Sequence, residues 1–372
     1  MFRFFVLGIL GLFLLLLWNA GRESLECLRH FFPRIRRWIW WTGYALFIAV
    51  TLILFSSTPS FAPLRFLSLC ARGTVGIFLY FLLGMNGAWL IRLFCRFLPK
   101  KRDLSLSIRL TALSLAAVLS LYGLIHPHRI QDQSYTVEVT GKSSALAEIK
   151  IVLISDLHLG YVWGADRMER IAEQINAQNP DLICIAGDVF DGNLDAVFDL
   201  EDLRSAFLSL QSRYGVYACL GNHDAGADYE EMVSFLQEAG VVLLRDEVVE
   251  IPEVIRIAGR RDSSPIGKSG EKREAMEWEK SPLPTLVLDH QPANVTEYGA
   301  EADLILFGHT HKGQIFPINF ITDALFEEDY GYYRADSQSP QQIISSGVGT
   351  WGPPMRVGSD CEIVSITVSL KN

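Results

Sequence analysis

Apolar residues follow two different rhythms along this chain. Up to about residue 125 they come as unbroken runs, over residues 4–18, 38–55, 73–91 and 110–125, the last extendable towards Leu104 across Arg109. Each approaches the roughly 20 apolar residues that a helix needs to cross a bilayer, the middle two most fully. The pattern predicts an all-α transmembrane region of about four helices, near residues 2–18, 38–55, 73–91 and 106–125. Beyond residue 130, short β-rich runs alternate with amphipathic stretches long enough for helices, the signature of an α/β domain. Strands are expected at 135–139, 149–154, 182–186, 216–220, 254–258, 285–288, 304–307, 343–345 and 363–368, and helices at 166–177, 200–210 and 229–239. The chain thus divides into a transmembrane region, 1–130, and a globular domain, 131–372, large enough for its own core. A linker is expected around 126–134. Residues 262–281 read as a surface excursion, and 317–342, with Phe320, Phe326, Tyr330, Tyr332 and Tyr333, as a long aromatic insertion of the kind that often carries function.

Charge sharpens this division. The total of 33 basic and 42 acidic residues hides an asymmetry: residues 1–130 carry 15 basic and 3 acidic side chains, and the remainder 18 and 39. So acidic a domain argues against a nucleic-acid-binding surface, which needs basic stripes. In the first part, Arg22, Arg29, Arg34, Arg36 and Arg37 fall between the first two apolar runs, and Arg92, Arg96, Lys100, Lys101, Arg102 and Arg109 between the last two. The intervening loop holds Arg65 and Arg72. By the positive-inside rule the two rich loops face the cytoplasm, which makes the chain a multi-pass membrane protein with an extracytoplasmic domain. A cleaved signal peptide over residues 1–20 is the competing reading. It would send the five-arginine segment outwards and would leave Trp18 close before the cleavage point.

Six cysteines, Cys27, Cys70, Cys95, Cys184, Cys219 and Cys361, form no C-x-x-C pair, and Cys184 and Cys219 lie inside apolar strands. They read as small buried hydrophobes, not as disulfides or metal ligands.

The chemistry lies where the apolar runs stop. Five of them end in ligand-type residues: Asp156 and His158, then Asp188, then Asn222, His223 and Asp224, then His290, then His309 and His311. Sites in open α/β sheets are built at the carboxyl ends of strands. All five histidines beyond residue 130 belong to these clusters, which isolated core or surface roles would not produce. Imidazole and carboxylate together suit zinc, manganese or iron, and seven such ligands exceed what one tetrahedral ion uses. Two divalent ions are implied. Such a pair would supply the positive charge that an acidic domain lacks for holding a phosphate.

The ordered set DLH at 156–158, GD at 187–188, GNHD at 221–224, the isolated histidine of LDHQP and GHTH at 308–311 resembles the calcineurin-like metallophosphoesterases. The later stretch SSGVGTWGPPMRVG, 345–358, is similar to their membrane-attached or exported phosphodiesterases, although Cys361 stands where that subgroup often has a proline. The resemblance implies a four-layer αββα sandwich with a dinuclear site. Asp156, His158 and His311 would bind one ion and Asn222, His290 and His309 the other, with Asp188 between them. A metal-bridging hydroxide would attack phosphorus, His223 would act as general acid, and Asp224 would orient its ring. Asp191 is either an outer support of the site or a loop cap.

The protein phosphatases of that superfamily carry an arginine before GNH to grip a dianionic monoester, and here Leu220 stands there. Phosphodiesters or pyrophosphates are therefore expected, lipid-linked ones included, since the partner of the first region is the bilayer. Arg260 and Arg261 read as an exposed basic pair. The sequence also admits a nucleotide-lipid pyrophosphohydrolase similar to the UDP-diacylglucosamine hydrolases, and a non-catalytic membrane receptor or scaffold.

Overall fold

A computed structural model describes residues 2–57, 61–97, 104–266, 272–276 and 279–371. Lys100, Lys101 and Arg102, and residues 267–271 and 277–278 of the expected surface excursion, lie outside that set. The chain forms two compact units, residues 1–125 with 352–355, and residues 126–351 with 356–372.

The first unit contains helices α1 (Phe2–Phe31), α2 (Arg37–Ser56), α3 (Ala62–Cys95) and α4 (Ser105–Ile125). Among the described residues, three segments are long and apolar enough to cross a membrane: Arg37–Ser56, Pro63–Cys95 and Ser105–His128. Helix α2 has no buried residue, as expected of an apolar surface that faces lipid. The first helix runs well past its apolar stretch, because its polar positions find partners on other helices. Asn19 donates to Asn86 at 2.9 Å, and the carbonyls of Leu17 and Gly21 accept from Tyr44 and Trp40. Arg109, which interrupts the fourth apolar run, is buried and paired with Glu23.

The second unit orders its elements as β1 (Ile130–Thr140), β2 (Glu148–Ile154), α5 (Ala165–Ala177), β3 (Leu182–Ala186), α6 (Leu200–Leu208), β4 (Val216–Cys219), α7 (Tyr229–Glu238), β5 (Val241–Leu243) and β6 (Glu247–Ile251). There follow β7 (Ile255–Gly259), β8 (Thr285–Leu288), β9 (Leu304–Phe307), α8 (Asn319–Leu325), β10 (Gly331–Tyr333), β11 (Gln341–Ile344) and β12 (Cys361–Lys371). The expected linker is mostly strand: β1 starts at Ile130 and pairs in parallel with β12 over its whole length. Two six-stranded sheets result, ordered β1-β12-β2-β3-β4-β5 and β10-β11-β9-β8-β7-β6. Strands β2 to β5 are parallel, joined through α5, α6 and α7, and β7, β8, β9 and β11 form a second parallel set.

Both sheets have covered faces, which is why their strands read as continuous apolar runs. Ile149, Ile151 and Leu153 of β2 point into the core between the sheets with Leu286, Leu288, Leu304 and Leu306, while Val152 and Ile154 pack with α5 residues Met168 and Ile171. Cys184 and Cys219 belong to the inter-sheet core, and burial pushes the Cys184 thiol up. The aromatic insertion contributes α8 and β10, and α8 has no buried residue: Phe320 and Leu325 are 62% and 73% exposed.

Candidate metal centre

The carboxyl ends of β2, β3 and β4 in one sheet and of β8 and β9 in the other bring all the ligand-type residues together. The chain must turn sharply at each strand end, and it does so at the functional residues themselves. Asp156, His158, Asp188, His309 and His311 have φ of 52°, 46°, 52°, 74° and 51°. Asp and His tolerate this left-handed region better than most residues, and strain of this kind gathers at functional sites. Glycines give the turns room. A Cβ on Gly221 would collide with the Asp188 carboxylate, and one on Gly308 with that of Asp156.

Among the described residues, three groupings have donor atoms within 4.8 Å of one another: Asp156, His158 and His311; Asp188, His290 and His309; and His158, Asp191 and His223. In the first, His158 Nε2 lies 3.1 Å from His311 Nε2, which is 3.4 Å from Asp156 Oδ1. In the second, His290 Nε2 lies 3.2 Å from Asp188 Oδ2 and 3.3 Å from His309 Nδ1, which lies 2.9 Å from Asn222 Oδ1. His290 Nδ1 faces the Ala186 carbonyl at 2.8 Å. That nitrogen therefore donates, and Nε2 faces Asp188; burial would lower the ring, but Asp188 overcomes it and holds His290 well above its ordinary value. Unshared nitrogen and oxygen pairs converging inside a buried pocket repel one another until a cation sits among them. The residues present fit divalent metal ions on that ground.

The electrostatics divide the histidines: Asp188 and Asp191 hold His290 and His158 above the ordinary value against burial, and His309 and His311 lie below it. Burial, reinforced by His290, pushes His309 down to about 3, and burial with His158 and Arg356 drives His311 well below its ordinary value, so both are neutral lone-pair donors. Burial would raise Asp188, but His290 and His158 overcome it and hold the carboxyl far below the usual range. Burial and the neighbouring Asp188 lift Asp224 to about 7.

Two expectations need correction. Asp224 does not reach the His223 ring: its oxygens accept from the backbone amides of Gly221, Val189 and Phe190 at 2.8, 3.2 and 2.8 Å. Because residues 222–224 form one 3-10 turn, adjacent side chains diverge. Asp191 takes the place beside the rings, with Oδ1 3.9 Å from His223 Nδ1 and 3.7 Å from His158 Nδ1. Arg260 is not an exposed cation. It is buried, with its guanidinium 2.7 Å from Asp246 and 3.0 Å from Glu297, while Arg261 is half-buried beside Asp246.

Other supporting residues escaped the sequence reading. Arg356 is fully buried and donates to the carbonyls of Ser346, Gly349 and His311 at 2.6, 2.8 and 3.3 Å, tying the 345–358 segment to the GHTH turn. Its signal was a lone arginine in a Gly- and Pro-rich apolar stretch. Asp289, next to His290, is held by Arg273 at 2.9 Å and by the Tyr298 hydroxyl at 2.6 Å. Trp351, half exposed, stands edge-on to His223 with ring centroids 5.8 Å apart.

The calcineurin-like phosphoesterase profile matches residues 149–313. An uncharacterized metallophosphoesterase of Aquifex aeolicus is 33% identical over 264 residues, 69% of this chain and 98% of that relative. One from Helicobacter pylori is 32% identical, over 60% of this chain and 61% of its own length. A zebrafish transmembrane protein with metallophosphoesterase domain is 30% identical, over 69% of this chain and 62% of its own. The match thus covers nearly all of the first relative and about three fifths of the other two.

Proposed function

The chain belongs to the calcineurin-like metallophosphoesterases, and on that premise we propose that it is a membrane-anchored phosphodiesterase working with two divalent cations. The observation that carries this reading is the position of Asp188, whose Oδ2 lies 3.6 Å from His158 Nε2 and 3.2 Å from His290 Nε2. One carboxylate faces both ligand groups. Asp156, His158 and His311 would hold one cation, and Asn222, His290 and His309 the other, with Asp188 shared. Manganese, zinc and iron all suit that donor set. When bound, the pair supplies Lewis acidity and positive charge against a phosphoryl group.

The chain's own groups do the rest. His223, partly exposed at the rim, would give the proton to the leaving oxygen: burial lowers its pKa, Asp188 and Asp191 oppose that fall, and Asp191 faces Nδ1, which leaves Nε2 for the substrate. Leu220 stands before GNHD and Arg260 is locked against Asp246 and Glu297, so neither offers an arginine fork to a dianionic monoester, which favours diesters and pyrophosphates. The exposed apolar face of α8, one residue before Phe326 meets the His309 ring at 6.0 Å, favours an amphiphilic substrate. With three membrane-length helices among the described residues and arginines gathered at alternate helix ends, the chain is read as multi-pass with its domain outside the cytoplasm. Lipid head groups, lipid-linked pyrophosphates and envelope polymer diesters are the substrates within reach.

Hydrolysis of bis(p-nitrophenyl) phosphate beside p-nitrophenyl phosphate tests the chemistry, with manganese, zinc, iron or chelator and with Asp188→Asn as control. Metal-dependent diester cleavage lost in Asp188→Asn is the expected result. Preference for the monoester would overturn the diester reading, and equal rates in the variant would overturn the centre itself. A reporter fused after Ile125 tests the orientation, a cytoplasmic signal contradicting it.

A further inference from the structure

The helical unit holds a concentration of charge that the phosphoester chemistry does not use. Arg22, Glu23 and Glu26 of α1, Arg92 of α3 with Arg96 just beyond it, and Arg109 of α4 line a cavity of about 250 Å3, the room of about eight waters. Glu23, 2% exposed, is the centre: Arg22 Nη2 lies 3.0 Å from Oε1, Arg109 Nε 2.8 Å from Oε2, and Arg92 Nη1 meets the same oxygen. Three guanidinium groups therefore share one carboxylate.

The wall does not balance. Among the described residues, four arginines face two glutamates around this cavity, an excess of two positive charges, with Arg96 and Glu26 exposed at its rim. Arg92 Nε is buried without a hydrogen-bond partner among the described residues. Uncompensated charge and unpaired donors inside a helix bundle are costly, so the arrangement calls for an anion. Forked guanidinium donors fit the oxygens of a phosphate group, and its one or two charges match the excess. The residues also share one end of the bundle: beyond the apolar run of α1, at the carboxyl end of α3 and in the first turns of α4. That is the level at which lipid head groups sit.

We propose that this cavity is a phosphate-binding site, held by Arg22, Arg92, Arg96 and Arg109 and braced by Glu23, that takes the head group of an anionic phospholipid or a free phosphate ion. It is independent of the metal centre.

The test uses the full chain in lipid nanodiscs of phosphatidylcholine alone, or with phosphatidic acid, or with inorganic phosphate added to the first, and reads bound lipid by native mass spectrometry and the shift in melting temperature. Chelator is present throughout, so that anion binding at the metal centre does not contribute. Wild type is expected to retain phosphatidic acid selectively and to melt higher with it. Arg92→Gln with Arg96→Gln should weaken retention about fivefold per arginine. Since Arg92 also braces Glu23, Arg96→Glu, at the rim, gives the same reading with the brace intact. Glu23→Gln separates binding from mere bracing, because removing the carboxylate raises the positive excess and should strengthen anion retention even as the bundle loses stability. Stabilisation by inorganic phosphate equal to that by lipid assigns a free ion; stabilisation by lipid alone assigns the head group. Absence of both selective lipid retention and stabilisation by inorganic phosphate in wild type, or responses unchanged in both Arg96→Glu and Glu23→Gln, would overturn the site.

Discussion

His158 and His311 come from different sheets, yet their Nε2 atoms face each other across 3.1 Å. Two neutral imidazoles gain nothing from that approach unless a proton or a cation lies between them. Replacing His311 by Ala should lower bound metal from two ions per chain towards one, as read by elemental analysis of purified protein. Diester hydrolysis should fall further than the roughly 10–100-fold that losing an outer supporting contact costs.

Removing the metal should also loosen the domain. Ligands drawn from both sheets make ion binding a cross-link of the folded state, worth about 2.7 kcal/mol when free metal exceeds its Kd about 100-fold. Chelator should lower the melting temperature of wild type, and have little effect on Asp188→Asn. Equal shifts in both would contradict the assignment.

Gly221→Ala should be damaging despite its small size. The added methyl would strike the Asp188 carboxylate, so either the strand end or that side chain must move. A cost of about 1–3 kcal/mol is typical of overpacking, here joined to weaker metal binding. Melting temperature and metal content measured together would expose both effects, and a fully loaded, wild-type-stable variant would contradict the crowding.

Asp191→Asn tests which carboxylate serves His223. Loss of the charge facing Nδ1 should cost roughly 10–100-fold in kcat while leaving metal content near wild type. Asp224→Asn, whose target is the backbone, should lower stability more than it alters the pH profile of kcat. The reverse pattern would return the orienting role to Asp224.

One surface ion pair gives a pH prediction. Burial would raise the Glu297 carboxyl, but Arg273 and Arg260 hold it below its ordinary 4.5. A carboxylate depressed by folding stabilises the protein above its unfolded pKa, and that contribution fades as pH falls through the folded one. Urea midpoints in chelator between about pH 3 and 6 should therefore rise less steeply with pH in Glu297→Gln than in wild type. Parallel curves would show that the pair adds nothing.

These residues also mark where the sequence could be read and where it could not. Strands β3, β8 and β9 matched residue for residue, because strands covered on both faces are continuous apolar runs with a polar cluster at the end. The same rule hid β5, with three residues, and β6, an edge strand whose EVVEI mixes acidic with apolar positions. Arg260 looked exposed because its partners, Asp246 and Glu297, are remote in sequence. Asp224 looked like a partner of His223 because adjacency in sequence was read as adjacency in space. Neither error concerned residue type; both concerned direction, which the turn decides.

The left-handed turns at Asp156, His158, Asp188, His309 and His311 put two demands on the same five positions. Each residue must offer a donor atom, and each must accept a backbone conformation that β-branched and bulky side chains refuse. A lineage that gave up hydrolysis would still be held by the second demand, so the motif would outlast the activity, drifting towards Asn and Gly before anything else. Aspartate and histidine at these five places answer to how the sheets end as well as to what the ions need.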